Sequence, residues 1–178
     1  LNVIIDGHVQ VHPNALIDYS KLKREAAKNK KTASLVRKID ALTEGYSKKT
    51  DFYVDKLSEG IAKIAATFYP NPVIIRFSDF KTNEYSTLLG GERYEPTEEN
   101  PMIGWRGASR YYDKKFATAF GLECKALRRV RKDMGLTNVV PMVPFCRTPE
   151  EGKAVLAEMA KYKLSKKDDK TLKTYVMC

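Results

Sequence analysis

Residues Val73–Arg110 read VIIRFSDFKTNEYSTLLGGERYEPTEENPMIGWRGASR and set the frame for the whole chain. The stretch opens with three apolar β-formers, Val73, Ile74 and Ile75, the mark of a buried strand, and it ends that strand on Arg76. Ser78, Asp79, Lys81, Asn83 and Glu84 follow at once. A glycine pair, an acidic run and a proline-bearing turn then lead to a second basic cluster, Arg106 and Arg110. An apolar strand, a long loop of mixed charge and arginines near a helix start are the parts from which an anion site is built on an α/β scaffold. Taken singly, each charge reads more readily as a solvated loop residue. Taken together they point to a site.

Upstream, Phe52, Leu57, Ile61, Ile64, Ala65 and Phe68 recur at three-and-four spacing. They predict a helix over Asp51–Phe68, with Thr50 or Asp51 as N-cap and Pro70 and Pro72 as the stop. The strand over Val73–Phe77 follows directly. Downstream, Lys114–Met134 reads as a long helix with Phe116, Ala119, Phe120, Leu122, Glu123, Leu127, Val130 and Met134 along its apolar side and borders, closed by Gly135. VVPMVPF, Val139–Phe145, is a short strand bounded by prolines. Thr148 and Pro149 open a helix that runs to about Leu164. A charged turn, Ser165–Lys170, leads to a last strand, Leu172–Cys178. At the other end, Leu1–Ile5 predicts a first strand, with turns at Asp6-Gly7-His8 and His12-Pro13-Asn14 and a short helix over Ala15–Leu22. The lysine-rich residues 23–48 read as a poorly ordered or surface insertion.

Strands preceded by helices predict a parallel sheet of right-handed βαβ units. Four such units make either a small doubly wound sheet or half of a barrel. No glycine-rich phosphate loop follows the first strand, which counts against the former. Polar residues gather just after strand ends, at Arg76–Lys81 and at Arg147, as in a barrel whose site lies on its C-terminal face. The expected fold is therefore α/β, an incomplete (β/α)8 TIM barrel of about four consecutive parallel βα units, with residues 1–178 a fragment of the domain. The apolar runs at the two ends are expected to be cuts through the core of something larger, leaving open edges that associate or aggregate.

Composition excludes several classes. The chain of 178 residues is 43% hydrophobic, which suits one sizeable core. No apolar run approaches the ~20 residues needed to span a bilayer, and no signal-peptide pattern is present. Cys124, Cys146 and Cys178 are widely spaced and form no CxxC pair, so neither a zinc site nor a disulfide framework is expected and a cytoplasmic setting fits. The net charge of +10 raises nucleic acid as a partner. The excess lies mainly in Lys21–Lys38 and Lys161–Lys173, which read as solvated helix faces without interleaved aromatics, and nucleic-acid binding is the disfavoured reading.

Three segments carry a resemblance: RFSDFKTNEY (Arg76–Tyr85), GGERYEPTEENPMIGWRGASRY (Gly90–Tyr111) and MGLTNVVPMVPFCRT (Met134–Thr148). They resemble the C-terminal, PEP/pyruvate-binding domain of the phosphoenolpyruvate synthases (pyruvate, water dikinases), relatives of pyruvate, phosphate dikinase and of enzyme I of the sugar phosphotransferase system. The resemblance implies a (β/α)8 barrel binding pyruvate or phosphoenolpyruvate with Mg2+. It implies as partners, within a longer homo-oligomeric chain, a phosphohistidine domain and an ATP-grasp domain that uses ATP. The reaction implied takes ATP, pyruvate and water to AMP, phosphoenolpyruvate and phosphate, with phosphoryl transfer from the phosphohistidine to pyruvate enolate. Arg76 matches the family arginine that binds the phosphoryl group, and Arg106 the arginine of ENP-x-x-G-x-R that lies close to it, with a salt bridge to Glu98 or Glu99 as the structural alternative for Arg106. Asp79, Asn83 and Arg110 are expected to order the loop.

Other family parts do not match. A second phosphate-binding arginine would fall before residue 1, and Asn2 stands where relatives carry Glu. The Mg2+-binding carboxylates and the catalytic cysteine are expected beyond Cys178, so no catalytic or metal residue is assigned within the segment and the isolated chain is expected to be inactive. Cys124 and Cys146 read as structural thiols, and His8 and His12 as loop or turn residues. The other readings are a dikinase, an enzyme I-like domain, or a non-catalytic half-barrel that binds a partner.

Overall fold

A computed structural model describes residues 1–177. The chain opens with a helical turn, α1 (Asn2–Ile4), that widens into a π-turn over Ile5–Val9. This corrects the predicted first strand at Leu1–Ile5. A run this short, four apolar residues with Asn2 among them, fits either a strand or a helix, and here the burial decides: Ile4, Ile5 and Val9 share one buried face while Val3 is 85% exposed. Residues Gln10–His12 then run beside Leu89, with a parallel bridge from Val11 to Leu89 and His12 N–H donating to the Leu89 carbonyl at 3.1 Å.

Two short helices follow, α2 (Pro13–Ile17) and α3 (Tyr19–Ala26), and then α4 (Lys30–Leu42). The lysine-rich residues 23–48, expected as a poorly ordered or surface insertion, are a helical hairpin in which α3 packs on α4. Leu22, Val36 and Ile39 form its buried side and the lysines its wet one. Asn29 caps α4 by accepting from Lys31 N at 2.9 Å and Thr32 N at 3.1 Å. That cap lies among lysines, which hides it from composition-based reading.

The helix predicted over Asp51–Phe68 is α5 (Lys49–Phe68), which packs on the later helix Ala117–Arg128 and buries Phe52, Tyr53, Leu57, Ile61 and Ala65, while Ile64 and Phe68, expected on the same face, are exposed. It delivers the chain to β1 (Val73–Arg76). Between β1 and the next strand lie α6 (Thr82–Thr87), a 3-10 turn at Gly91–Arg93, α7 (Ala108–Tyr111) and α8 (Ala117–Arg128), which ends in a π-turn over Arg129–Asp133. Gly135 closes this helix at φ +73, as its position predicts. The helix starts three residues later than the predicted Lys114, because Asp113 turns the chain first: its carbonyl accepts from Phe116 N–H and its carboxylate from Lys115 N–H.

Strand β2 (Val139–Val143) pairs parallel with β1, Ile75 opposite Pro141 and Arg76 opposite Met142. Thr148 and Pro149 open α9 (Pro149–Lys161), with Thr148 Oγ1 accepting from Glu151 N at 3.2 Å. The last strand, β3 (Tyr175–Val176), pairs parallel with β2, giving the order β1-β2-β3. It is shorter than the predicted Leu172–Cys178. Asp169 takes hydrogen bonds from Thr171 N and Oγ1, so the chain is still turning at 171, and Leu172 then drops its side chain into the core. Cys178 lies outside the described residues. The described residues thus form a parallel α/β unit with three strands rather than four.

Residues Val73, Ile75 and Phe77 bury one side of the sheet beneath the helices, while Ile74, 49% exposed, lies on the other side with Arg76. No helix is long and apolar enough to cross a membrane among the described residues.

Candidate functional site

In a parallel sheet the loops that leave the strands' C-terminal ends gather on one side, and the predicted site residues follow the C-terminal end of β1. Arg76 is its last residue, half-exposed, with Nη1 at 3.5 Å from Asp79 Oδ2. Asp79 is 2% exposed and is the hub of the site. Its carboxylate meets Arg106 twice, Oδ1 accepting from Nε at 2.9 Å and Oδ2 from Nη2 at 3.3 Å. Residues 30 apart in sequence, Arg76 and Arg106, are thereby brought to one carboxylate. The alternative partners for Arg106, Glu98 and Glu99, are not the ones it uses. Glu98 instead closes the ENP loop on α6, accepting from Thr82 Oγ1 at 2.8 Å and Trp105 N at 2.9 Å. Gly104 permits that closure, since a Cβ there would lie 2.6 Å from the Glu98 carboxyl carbon.

The loop Phe77–Lys81 is held from behind. Ser78, 1% exposed, is bound through all of its polar atoms. Its N–H donates to Glu123 Oε2 at 3.0 Å, its hydroxyl bonds Glu123 Oε1, Tyr85 OH donates to its Oγ at 2.6 Å, and Tyr111 OH donates to its carbonyl at 2.6 Å. Burial pushes the Glu123 carboxyl up from its ordinary pKa, with the Ser78 hydrogen bonds pulling the other way. Next to Ser78, Asp79 N–H donates to Asn2 Oδ1 at 2.8 Å. The Asn2 side chain therefore positions the hub.

Arg110 does a different job. It is fully buried, with Nη1 and Nη2 on the Glu95 carboxylate at 2.7 and 2.6 Å. Its guanidinium lies 4.0 Å from the Trp105 ring and 4.4 Å from that of Tyr85. His12, read from sequence as a turn residue, is fully buried in the same network. Its Nε2 bonds Glu95 Oε1 at 3.0 Å and its Nδ1 accepts from Asn14 N at 3.2 Å, capping α2. Burial lowers the His12 pKa. Burial opposes the Glu95 charge, yet the hydrogen bonds from Arg110 and His12 outweigh it and hold the Glu95 pKa below the ordinary carboxylate value. Arg110 thus orders the loop, as expected. Asn83 is exposed on α6 and Cys124 is buried in α8.

Arg147 follows β2 and borders the same loop. Its Nη2 donates to the Gly104 carbonyl at 3.2 Å and its Nη1 to that of Arg106 at 3.5 Å. The sequence marked its position after a strand end but not its contact with the Arg106 loop. The Ser78–Glu123 pair left one signal, a glutamate on the apolar side of a predicted helix.

The residues present do not fit Mg2+. Asp79, Glu95 and Glu123 are each occupied by arginines, His12 or Ser78, and no group of three or more His, Cys, Asp and Glu residues that could hold a metal ion occurs among the described residues. What the arrangement offers is guanidinium, suited to binding an anion by charge and by its planar fork.

Residues 22–178 match the family model described as PEP-utilising enzyme, PEP-binding domain, and the chain belongs to that family. Its similar relatives are phosphoenolpyruvate synthases. The protein of that name from Synechocystis is 55% identical over 179 residues, covering 100% of this chain and 21% of the relative. That from Aquifex aeolicus is 48% identical, covering 98% and 24%, and that from Escherichia coli 47%, covering 100% and 21%. The chain spans about a fifth of the length of the curated relatives it matches.

Proposed function

We propose that this segment supplies part of the wall of a phosphoenolpyruvate/pyruvate site, with Arg76 and Arg106 receiving the phosphoryl group. The observation that carries the reading is that two guanidiniums share one buried carboxylate at the C-terminal end of a parallel strand, which leaves positive charge for an anionic ligand. Asp79 is the positioning residue. It holds Arg106 in a fixed fork and keeps Arg76 beside it, so little side-chain ordering remains to be done when a ligand arrives.

The reaction proposed is that of pyruvate, water dikinase: ATP, pyruvate and water give AMP, phosphoenolpyruvate and phosphate. A phosphohistidine domain and an ATP-grasp domain of a longer chain would be its partners, in the cytoplasm. The sheet, covered on one side and bearing half-exposed Ile74 on the other, is proposed as a sector of a (β/α)8 barrel with Arg76 facing its mouth. Mg2+ would be held by residues outside this segment, so residues 1–178 alone should form no AMP from ATP and pyruvate.

Binding of phosphoenolpyruvate to the intact protein, measured by titration calorimetry, tests the site. Arg76→Ala and Arg106→Ala should each weaken it about tenfold or more, the worth of a charge-assisted hydrogen bond. Wild-type affinity in both variants would remove the site from this loop.

A further inference from the structure

Phe145, two residues after β2, holds φ +50, the left-handed region that a bulky side chain seldom adopts. Facing it, Gly107 holds φ +63, and a Cβ there would lie 2.5 Å from the Pro144 carbonyl oxygen and 2.8 Å from Phe145 Cβ. Ala108 N–H donates to that same Pro144 oxygen at 3.0 Å. Two irregular backbone positions from different loops therefore meet. Their meeting sets the Phe145 ring against two guanidiniums, Arg106 at 4.4 Å and Arg147 at 5.7 Å from the ring centroid. Backbone strain of this kind persists only where the surroundings over-determine it, and it gathers at ligand clamps.

The two guanidiniums differ in their partners. Arg106 is locked on Asp79. The hydrogen bonds of the Arg147 guanidinium go to neutral carbonyls, of Gly104 at 3.2 Å, Phe145 at 3.4 Å and Arg106 at 3.5 Å, while its backbone N–H is taken by Glu151 Oε2 at 2.7 Å. Those carbonyl contacts are long, at the weak end of hydrogen bonding, and an anion would displace them readily. Arg147 is exposed. It is a cation parked beside the site on weak bonds.

We propose that Arg147 is a third ligand-binding arginine, taking the carboxylate of a phosphorylated three-carbon acid whose phosphoryl group lies on Arg76 and Arg106. The proposal rests on the phosphoenolpyruvate reading above and extends it: one pole of the ligand meets the Asp79-bound pair, the other the separate cation. A guanidinium suits a carboxylate because its fork matches the two oxygens.

The test titrates the intact protein with phosphoenolpyruvate and, separately, with inorganic phosphate, which has no carboxylate. Wild type, Arg106→Ala, Arg147→Ala and Arg147→Lys are compared. Arg147→Ala should weaken phosphoenolpyruvate about tenfold or more while leaving phosphate within about twofold. Arg147→Lys should recover part of the loss, since it keeps the charge without the fork. Equal losses for the two ligands in Arg147→Ala would overturn the proposal, making Arg147 a support for the Arg106 loop. Undiminished phosphoenolpyruvate binding in Arg147→Ala would also overturn it, and if Arg106→Ala weakens both ligands the underlying site still stands. No loss in Arg106→Ala for either ligand would overturn the site itself. Should Arg147→Ala fail to fold, Arg147→Gln carries the same comparison.

Discussion

Ser78→Ala should be among the most disruptive single-atom deletions in the protein, and its cost can be worked from four hydrogen bonds. The substitution removes Oγ alone. Tyr85 OH then loses the acceptor it holds at 2.6 Å, and Glu123 Oε1 loses the hydroxyl, while the bonds from Ser78 N to Glu123 and from Tyr111 to the Ser78 carbonyl remain. Both orphaned groups are fully buried. At about 1–3 kcal/mol for each unsatisfied buried group, the expected destabilisation is about 3 kcal/mol. Tyr85→Phe makes the contrast. It deletes the donor, leaves Ser78 bonded to Glu123, keeps the ring packed on Phe80 and Phe116, and should cost only about 1 kcal/mol. In the double variant no phenol is orphaned, so its cost should fall short of the sum of the single costs by about 1 kcal/mol. Urea unfolding, with midpoint and slope read together, measures all three. Ser78→Ala within about 0.5 kcal/mol of wild type, or strict additivity in the double variant, would refute the account, because the hydroxyl would then have water or another partner.

Two further outcomes follow from the Glu95 network. Glu95→Ala leaves the fully buried Arg110 without its counter-charge and should destabilise by about 3–5 kcal/mol in the same unfolding assay; a loss under about 1 kcal/mol would show that the pair contributes little. His12 is kept neutral by burial, its folded pKa lying below the ordinary 6.5, so the unfolded chain takes up the proton first. Its contribution is fully present above pH 6.5 and is lost as pH falls from there toward the folded pKa, at up to about 1.4 kcal/mol per pH unit. Unfolding free energy measured from pH 7.5 to 5.5 should fall in wild type and run flatter in His12→Gln, and parallel profiles would exclude His12 as the source.

Much of the architecture was legible because it rests on long-range periodicity. The Gly135 stop and the Thr148-Pro149 start each answer to a local rule and stand where that rule puts them; most of the periodic faces of α5 and α8 are buried, whereas Ile64, Phe68 and Met134, expected on those faces, are exposed. The ends are the least legible part, because a run of four or five mainly apolar residues cannot choose between strand and helix. Leu1–Ile5 forms a helical turn on α5, and Leu172 is spent on the core before β3 begins. Within the site, Arg76 and Arg106 were legible as arginines near a strand end and a helix start. Their meeting on Asp79 was not, because nothing local pairs residues 30 apart. Glu123 and His12 were hidden for a related reason. A buried polar residue is defined by its partners, and those partners lie on other elements.

The arginines that meet a carboxylate, together with those bordering the β1 loop, sort by how much carboxylate each one has. Arg110 holds both oxygens of Glu95, Arg93 has Glu25, Arg129 has Asp55, and Arg131 has Asp169 together with the Thr137 and Val139 carbonyls. In each of those cases one guanidinium faces at least one carboxylate of its own, so the charge is answered within the fold. At the end of β1 the count fails: Arg76 and Arg106 divide Asp79 between them, and the bonds of Arg147 go to neutral carbonyls. Like charges gathered around one carboxylate repel, and an anion placed between them would relieve that repulsion as well as making its own bonds. The burial of Asp79 makes this stable, since a carboxylate 2% exposed cannot swing out to serve one arginine and abandon the other. The deficit of carboxylate, more than the number of basic residues, distinguishes this loop from the lysine-rich faces of α3 and α4, whose charges stand in water and need no answer.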